Sequence, residues 1–218
     1  AALPRWDADS WAAGLAEVRA RMLDQNAWPS LLLSDRLEQT PELPAELERQ
    51  GWMPVMSETV MVNGRAAVVP HLDPGMRIEA VRATALETHE QLERRIFGVS
   101  ADQAKRRRGA IGAAIAAGQL RAWVVWVGDE PVAVARLSQG DGTAGLQGIG
   151  VVETYRGQGY GTLITTIATR TALATGNRLA WLSVREDNEP AVSAYTALGF
   201  ERVFGWTRWL LTEDLRRR

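Results

Sequence analysis

Two rhythms of apolar and polar positions run along this chain, and their alternation predicts its elements. A period of two over Arg77–Arg82 predicts a strand, and helical spacing follows over Thr84–Phe97 and Ala101–Ala117. Thr84 with Glu87 three residues later fits a capping box, and Gly118 fits a helix stop. Strands are expected over Leu120–Val127 and Pro131–Leu137, joined by the short turn Gly128-Asp129-Glu130. Gln139-Gly140-Asp141-Gly142 turns into a third strand over Thr143–Val152. A helix over Thr162–Thr175 stops at Gly176-Asn177. A strand over Arg178–Val184, a helix over Glu189–Leu198 and a strand pair over Phe200–Leu211, broken near Gly205, complete the order. Such a succession specifies a mixed α/β fold whose front half is largely antiparallel.

Before the break at His71-Leu72-Asp73-Pro74-Gly75 the same plan recurs in part. Helical spacing over Ser10–Asp24 is followed by a short strand at Ser30–Leu33, a helix at Pro44–Gln50 and a strand over Met53–Val62. Gly51-Trp52 stands to this last strand as Leu198-Gly199-Phe200 stands to the C-terminal one. Residues 1–72 therefore read as a degenerate partial copy of the C-terminal half, with Pro4–Asp9 where a glycine loop would fall; chance recurrence of helix–strand units is the alternative. Asn63-Gly64, between Val60–Val62 and Ala66–Val69, predicts a hairpin turn.

Between the strand ending at Val152 and the helix of Thr162 lies Arg156-Gly157-Gln158-Gly159-Tyr160-Gly161, with three glycines in six residues. Glycine permits sharp turns and close approach of backbone N–H groups to a ligand. A helix that follows at once adds the positive end of its dipole, so the segment suits a phosphate. It is not a Walker A loop, because Gly161 is followed by Thr162 with no lysine. Nor is it a dinucleotide fingerprint: the sixth position from Gly157 is Thr162, and no acid lies at Arg178–Ala180. A structural glycine turn remains the other reading.

Composition narrows the chemistry. A net charge of −1 speaks against nucleic acid as a partner, and the basic run Lys105–Arg108 reads as a solvated helix face. No cysteine is present, which excludes disulfides, thiolate metal ligands and cysteine nucleophiles. Two histidines, His71 and His89, supply a metal site poorly, and both read as ordinary surface residues. No apolar run approaches the roughly 20 residues of a membrane span, so neither membrane nor metal is expected and a cytoplasmic location is the default. The chain begins with alanine rather than methionine, which weakens any targeting argument.

Arg156–Gly161 resembles the Gln/Arg-x-x-Gly-x-Gly/Ala motif of the GNAT superfamily of N-acyltransferases. Val184, Asn188, Ala191, Tyr195 and Leu198-Gly199-Phe200 resemble its second conserved block at the expected distance, so the likeness covers about residues 77–211. It implies a twisted, mostly antiparallel sheet flanked by helices, with an acetyl-CoA-binding catalytic domain over 76–218 and a smaller, degenerate GNAT-like subdomain over 1–72. Acetyl-CoA, or a related acyl-CoA, is then the donor. Main-chain N–H groups over Gln158–Gly161 would hold its pyrophosphate, with charge from Arg156. Val151 and Val152 would bond the pantetheine arm, and an N–H near Val151 would polarise the thioester. Asn188 is an N-cap, a cofactor ligand, or both. Tyr195 is a general acid for the departing thiolate, or an aromatic packed on the core. Glu153 stands where many members have proline. The glutamate that some carry on the fourth strand has no counterpart over Thr143–Val152, so no general base is assigned; Glu186, Asp187 and Glu189 read equally well as solvated.

The expected reaction is direct attack of a primary amine, on a small molecule or peptide, upon the thioester in a ternary complex. A non-catalytic acyl-CoA-binding regulatory module is the alternative. The acceptor would enter near Gly98–Ala104 and a turn around Gly205-Trp206, with Trp206 and Trp209 either lining that entrance or packed in a core. Large aromatics exposed on the last strands would suit a homodimer.

Overall fold

A computed structural model describes residues 11–24, 30–36, 42–65, 67–69 and 74–211. They divide into two compact units, one drawn from residues 1–60, 185–187 and 203–218, the other from 61–184 and 188–202. Pro4–Asp9 and His71 lie outside the described residues.

In the first unit helix α1 (Trp11–Asp24), strand β1 (Ser30–Ser34), helix α2 (Leu43–Arg49) and most of strand β2 (Trp52–Asn63) follow one another. Their core is Leu15, Leu43, Leu47 and Trp52, closed by Trp209 and Leu211 of the C-terminal strand β8 (Glu201–Leu211). β1 pairs antiparallel with β8 from Ser30↔Leu210 to Ser34↔Trp206. Gly205 does not break β8: its N–H donates to the Asp35 carboxylate at 2.7 Å and its carbonyl accepts the Asp35 N–H at 2.9 Å. Both main-chain groups thus stay paired, and a single strand replaces the expected pair. Trp209 is buried, and Trp206 is part-buried with its indole N–H on Glu58 at 2.7 Å, which removes both the turn at the acceptor entrance and the exposed aromatics offered for a dimer.

The second unit holds β3 (Met76–Ala80), α3 (Glu87–Phe97), α4 (Ala101–Ala116), β4 (Leu120–Val127), β5 (Glu130–Gly140), β6 (Thr143–Val151), α5 (Tyr160–Ala174), β7 (Leu179–Arg185) and α6 (Glu189–Ala197). β3 to β6 form an antiparallel meander, and β7 lies parallel to β6. Successive residues of β4 and β5 face opposite sides, as the period of a strand requires. Val124 and Val134 join Leu92 and Val152 in one core; Val125, Ala133, Ala135 and Leu137 join Leu163, Ile164 and Ala168 of α5 in the other. Apolar residues on both faces explain why these strands read as apolar runs in the sequence. The mostly antiparallel α/β sheet flanked by helices is the expected fold.

Some local expectations need correction. α3 starts at Glu87 with Leu86 as its cap and no side-chain bond, because residues 82–85 form a turn in which Ala85 N–H reaches Arg82 carbonyl at 2.9 Å. The capping box belongs instead to Ser100 and Gln103 at the head of α4. Among the described residues no hairpin forms at Asn63-Gly64: the Asn63 side chain accepts the Arg65 N–H at 2.7 Å and donates to Leu198 carbonyl at 2.9 Å, and residues 67–69 are irregular, while Ala66 lies outside the described residues. His89 is not at the surface. It is 2 % exposed on the inner face of α3, with Glu93 one turn further on, and burial together with the nearby Arg136 pulls its imidazole down to about 4.

Candidate active site

β6 and β7 pair only from Thr143↔Leu179 to Gly145↔Trp181. At this last pair the Trp181 indole covers Gly145 so closely that a Cβ there would sit 2.7 Å from it. Beyond it, among the described residues, Leu146–Val151 of β6 has no strand partner on the β7 side. β6 also bulges against β5, where Gln147 faces Arg136 and Gly150 faces Val134, with Gly148 at φ 57°. Past the bulge, Val152 N–H donates to Val132 carbonyl at 2.9 Å. Alternation along the ladder then turns the N–H of Val151 away from β5, toward the space that β7 has left.

The resulting cavity measures about 700 Å³, within the range of small-molecule sites. Ile149, Gly150 and Val151 of β6 form its floor, and Ile96 and Phe97 of α3 press on Gly150. Only glycine fits there: a Cβ at 150 would lie 2.5 Å from Phe97 Cζ and 2.6 Å from Ile96 Cγ2. Arg156, Gly157, Gly159, Tyr160 and Gly161 line the mouth. Gly157 and Gly159 hold φ of 75° and 87°, values L-residues rarely adopt, and a Cβ would meet nothing within 4 Å at either. Backbone conformation, not crowding, therefore demands glycine at both positions. α5 begins at Tyr160, two residues before the expected start, so the loop runs straight into the helix. The first N–H groups of a helix have no carbonyl one turn earlier to bind, and here they face the cavity with the positive end of the dipole. Tyr155 anchors the loop from below through its hydroxyl, which donates to Glu130 at 2.8 Å.

α6 forms the facing wall with Asn188, Ala191 and Tyr195. Asn188 is the N-cap: its carbonyl oxygen accepts the Ala191 N–H at 3.4 Å, which leaves its amide N–H₂ as a donor. Tyr195 packs its ring 6.0 Å from Phe200, and burial pushes its phenol up to about 12. The hydroxyl is therefore a proton donor throughout the physiological range. Arg156 turns its Nε onto Val151 carbonyl at 3.3 Å.

Of the residues anticipated from sequence, Val151, Arg156, Gly157, Gly159, Tyr160, Gly161, Asn188 and Tyr195 share this cavity. Val152 is the correction: its side chain is buried and both main-chain groups are taken, the carbonyl by Tyr155 N–H at 2.9 Å. Gln158 stands outside the lining, exposed, with its amide on Thr154 carbonyl at 3.2 Å. Ile96, Phe97, Thr162 and Gly150 went unanticipated. Gly150 alone carried a signal, as a glycine inside a strand marks a close approach.

Among the described residues no helix is long and apolar enough to cross a membrane, and no three histidine, aspartate or glutamate side chains cluster as metal ligands. Residues 84–200 match the Acetyltransferase (GNAT) family, and the chain belongs to it. That family takes acetyl-CoA as co-substrate for transfer to an acceptor. A stretch of 71 residues is 37 % identical to a Bacillus subtilis (strain 168) protein described as the uncharacterized N-acetyltransferase YobR. That alignment spans 33 % of this chain and 29 % of the relative. Among solved structures, a GCN5-related N-acetyltransferase from Sphaerobacter thermophilus superposes with a TM-score of 0.73 at 16 % identity, over 94 % of this chain and 69 % of the other. A tandem GNAT protein from the clavulanic acid biosynthesis pathway gives 0.68 at 19 % identity, over 94 % and 70 %. At such identities the likeness is one of fold.

Proposed function

We propose that this protein transfers an acetyl group from acetyl-CoA to a primary amine of a small molecule or peptide, by direct attack in a ternary complex. The observation that carries this reading is one cavity in which a divergent strand edge, a helix N-terminus and the half-buried phenol of Tyr195 meet. The N–H groups from Gln158 to Gly161 and the head of α5 bind the pyrophosphate, and Arg156 adds a positive charge. Val151 offers its N–H to the thioester oxygen, where negative charge develops on attack. Asn188 donates its free N–H₂ to the pantetheine arm. Tyr195 protonates the leaving sulfur, a role its neutral phenol can fill at any physiological pH.

Direct attack suits a chain without cysteine. Initial-rate kinetics over a panel of primary amines and short peptides test the reading, with acetylated product identified by mass spectrometry. Intersecting double-reciprocal lines and no acetylated enzyme are expected; parallel lines with an acetyl-enzyme, or no product from any amine, would overturn it.

The same reading makes residues 1–72 a degenerate partial GNAT-like subdomain and 76–218 the catalytic domain, in a cytoplasmic protein. The order helix–strand–helix–strand in α1-β1-α2-β2 repeats in α5-β7-α6-β8, and a tandem GNAT protein shares the fold.

A further inference from the structure

Amines reach an enzyme at neutral pH mostly as ammonium ions, so one proton must leave before nitrogen can attack. β6 carries no carboxylate along the floor of the cavity. Glu130 is bound by Tyr155 and Arg95 and held below its usual range, and Asp187 is held down in the same way by Arg185, so both are poor proton acceptors. Glu93 differs. It is 6 % exposed, and Ile96 and Phe97, which line the cavity, follow it by three and four residues on the same helix face. Its Oε1 lies 3.3 Å from where a Cβ of Gly148 would stand, next to Ile149 of the cavity floor. The space that a β6 side chain would fill at the bulge is shared by the Arg136 guanidinium, whose Nη2 would lie 3.0 Å from that Cβ, and the Glu93 carboxylate from α3 beside it. Arg136 Nη1 meets the same oxygen at 3.0 Å, while Arg136 Nε and His89 Nε2 are buried without a partner. A buried cluster with unmet polar atoms suits ordered water.

From this geometry we infer that Glu93 is the proton acceptor of the transfer reaction, taking the ammonium proton through an ordered water beside the Gly148 bulge. The inference rests on the amine-acetyltransferase reading. The ammonium gives one proton through water to the Glu93 carboxylate, and the neutral nitrogen forms its bond to the thioester carbon. Collapse breaks the C–S bond, and Tyr195 gives its proton to the sulfur. The second nitrogen proton, released as the amide forms, restores the phenol through solvent, and Glu93 returns its proton to water. Amide, thiol and one net proton result. The groups facing Glu93 are His89 and Glu90 from α3, Arg107 from α4 and Arg136 from β5; burial outweighs the arginines and raises its carboxyl above the usual range.

Glu93→Gln keeps the shape and a hydrogen-bond acceptor for Arg136. It is expected to lower kcat/KM for an alkylamine about a hundredfold at neutral pH, with acetyl-CoA affinity unchanged. The acidic limb of the pH–rate profile should vanish with it. For an alkoxyamine, already neutral at that pH, the loss should shrink to within about tenfold, because little deprotonation is left to catalyse. Glu93→Asp should restore part of the alkylamine rate, and it carries the test if the glutamine variant does not fold. An active wild type with turnover and pH profile unchanged in Glu93→Gln would overturn the role. So would a loss equal for both nucleophiles at every pH, which marks a merely structural pair. A wild type that acetylates no amine would instead remove the amine-acetyltransferase reading, and the role of Glu93 with it.

Discussion

Acidification from about pH 7.5 to pH 4 should weaken this fold through His89. Its imidazole is buried against Arg136 and titrates near 4 in the folded protein, against 6.5 when unperturbed. A base whose folded-state pKa is depressed takes up its proton first in the unfolded chain. Its stabilising share is complete above 6.5 and is lost as pH falls toward 4. The linkage relation gives a loss on the order of 1.4 kcal/mol at pH 5.5 and about 3 kcal/mol at pH 4. Glu93 works in the opposite sense: its raised carboxyl takes a proton in the folded state before the unfolded one, which offsets part of the loss as pH drops. Comparing wild type with His89→Gln, where Glu93 remains, isolates the imidazole. Urea unfolding at closely spaced pH values should show the two stability curves converging on acidification, by about 3 kcal/mol between pH 7.5 and 4. Parallel curves would refute the assignment of a buried neutral His89.

Other substitutions probe the cavity. Gly150→Ala places a Cβ 2.5 Å from Phe97 and 2.6 Å from Ile96, so about 1–3 kcal/mol of stability should be lost, with a raised KM for acetyl-CoA; thermal unfolding and initial rates check both. Tyr195→Phe should cut kcat about a hundredfold with acetyl-CoA affinity retained. Since the phenol stands at about 12, the wild type should show no alkaline fall-off from this group below about pH 10. Asn188→Ala removes a long 3.4 Å cap bond, so a stability loss near the low end of about 0.5–2 kcal/mol should accompany a weaker calorimetric affinity for acetyl-CoA.

Most elements between residues 76 and 211 were legible because their signals are local. Leu120–Val127 and Ala101–Ala116 are bounded by glycines or caps that the backbone itself requires, and Gly157 and Gly159 advertise their positive φ. What escaped the sequence depends on partners distant along the chain. His89 and Glu93 look like two more polar residues of a charged helix until Arg136 of β5 arrives beneath them. Gly205 resembles a break until Asp35 takes up its N–H. The family resemblance points to Val151 and Val152 alike; the bulge at Gly148 and the pairing of Val152 with Val132 decide which of the two adjacent main-chain groups faces the cavity. Ile96 and Phe97 reach the site only because Gly150, far along the chain, leaves room for them.

The central claim is that the Arg156–Gly161 loop and the head of α5 hold the pyrophosphate of an acyl-CoA. Isothermal titration of wild type and Gly159→Val with acetyl-CoA and with acetyl-pantetheine, which lacks the nucleotide and pyrophosphate, tests it most directly. Gly159 stands at φ 87°, so valine must distort the loop without touching the strand floor. The account predicts at least tenfold tighter binding of acetyl-CoA than of acetyl-pantetheine by wild type, a gap of about 1.4 kcal/mol or more, and collapse of that gap in Gly159→Val. Equal affinity of wild type for the two donors, or a gap that survives the substitution, would contradict it.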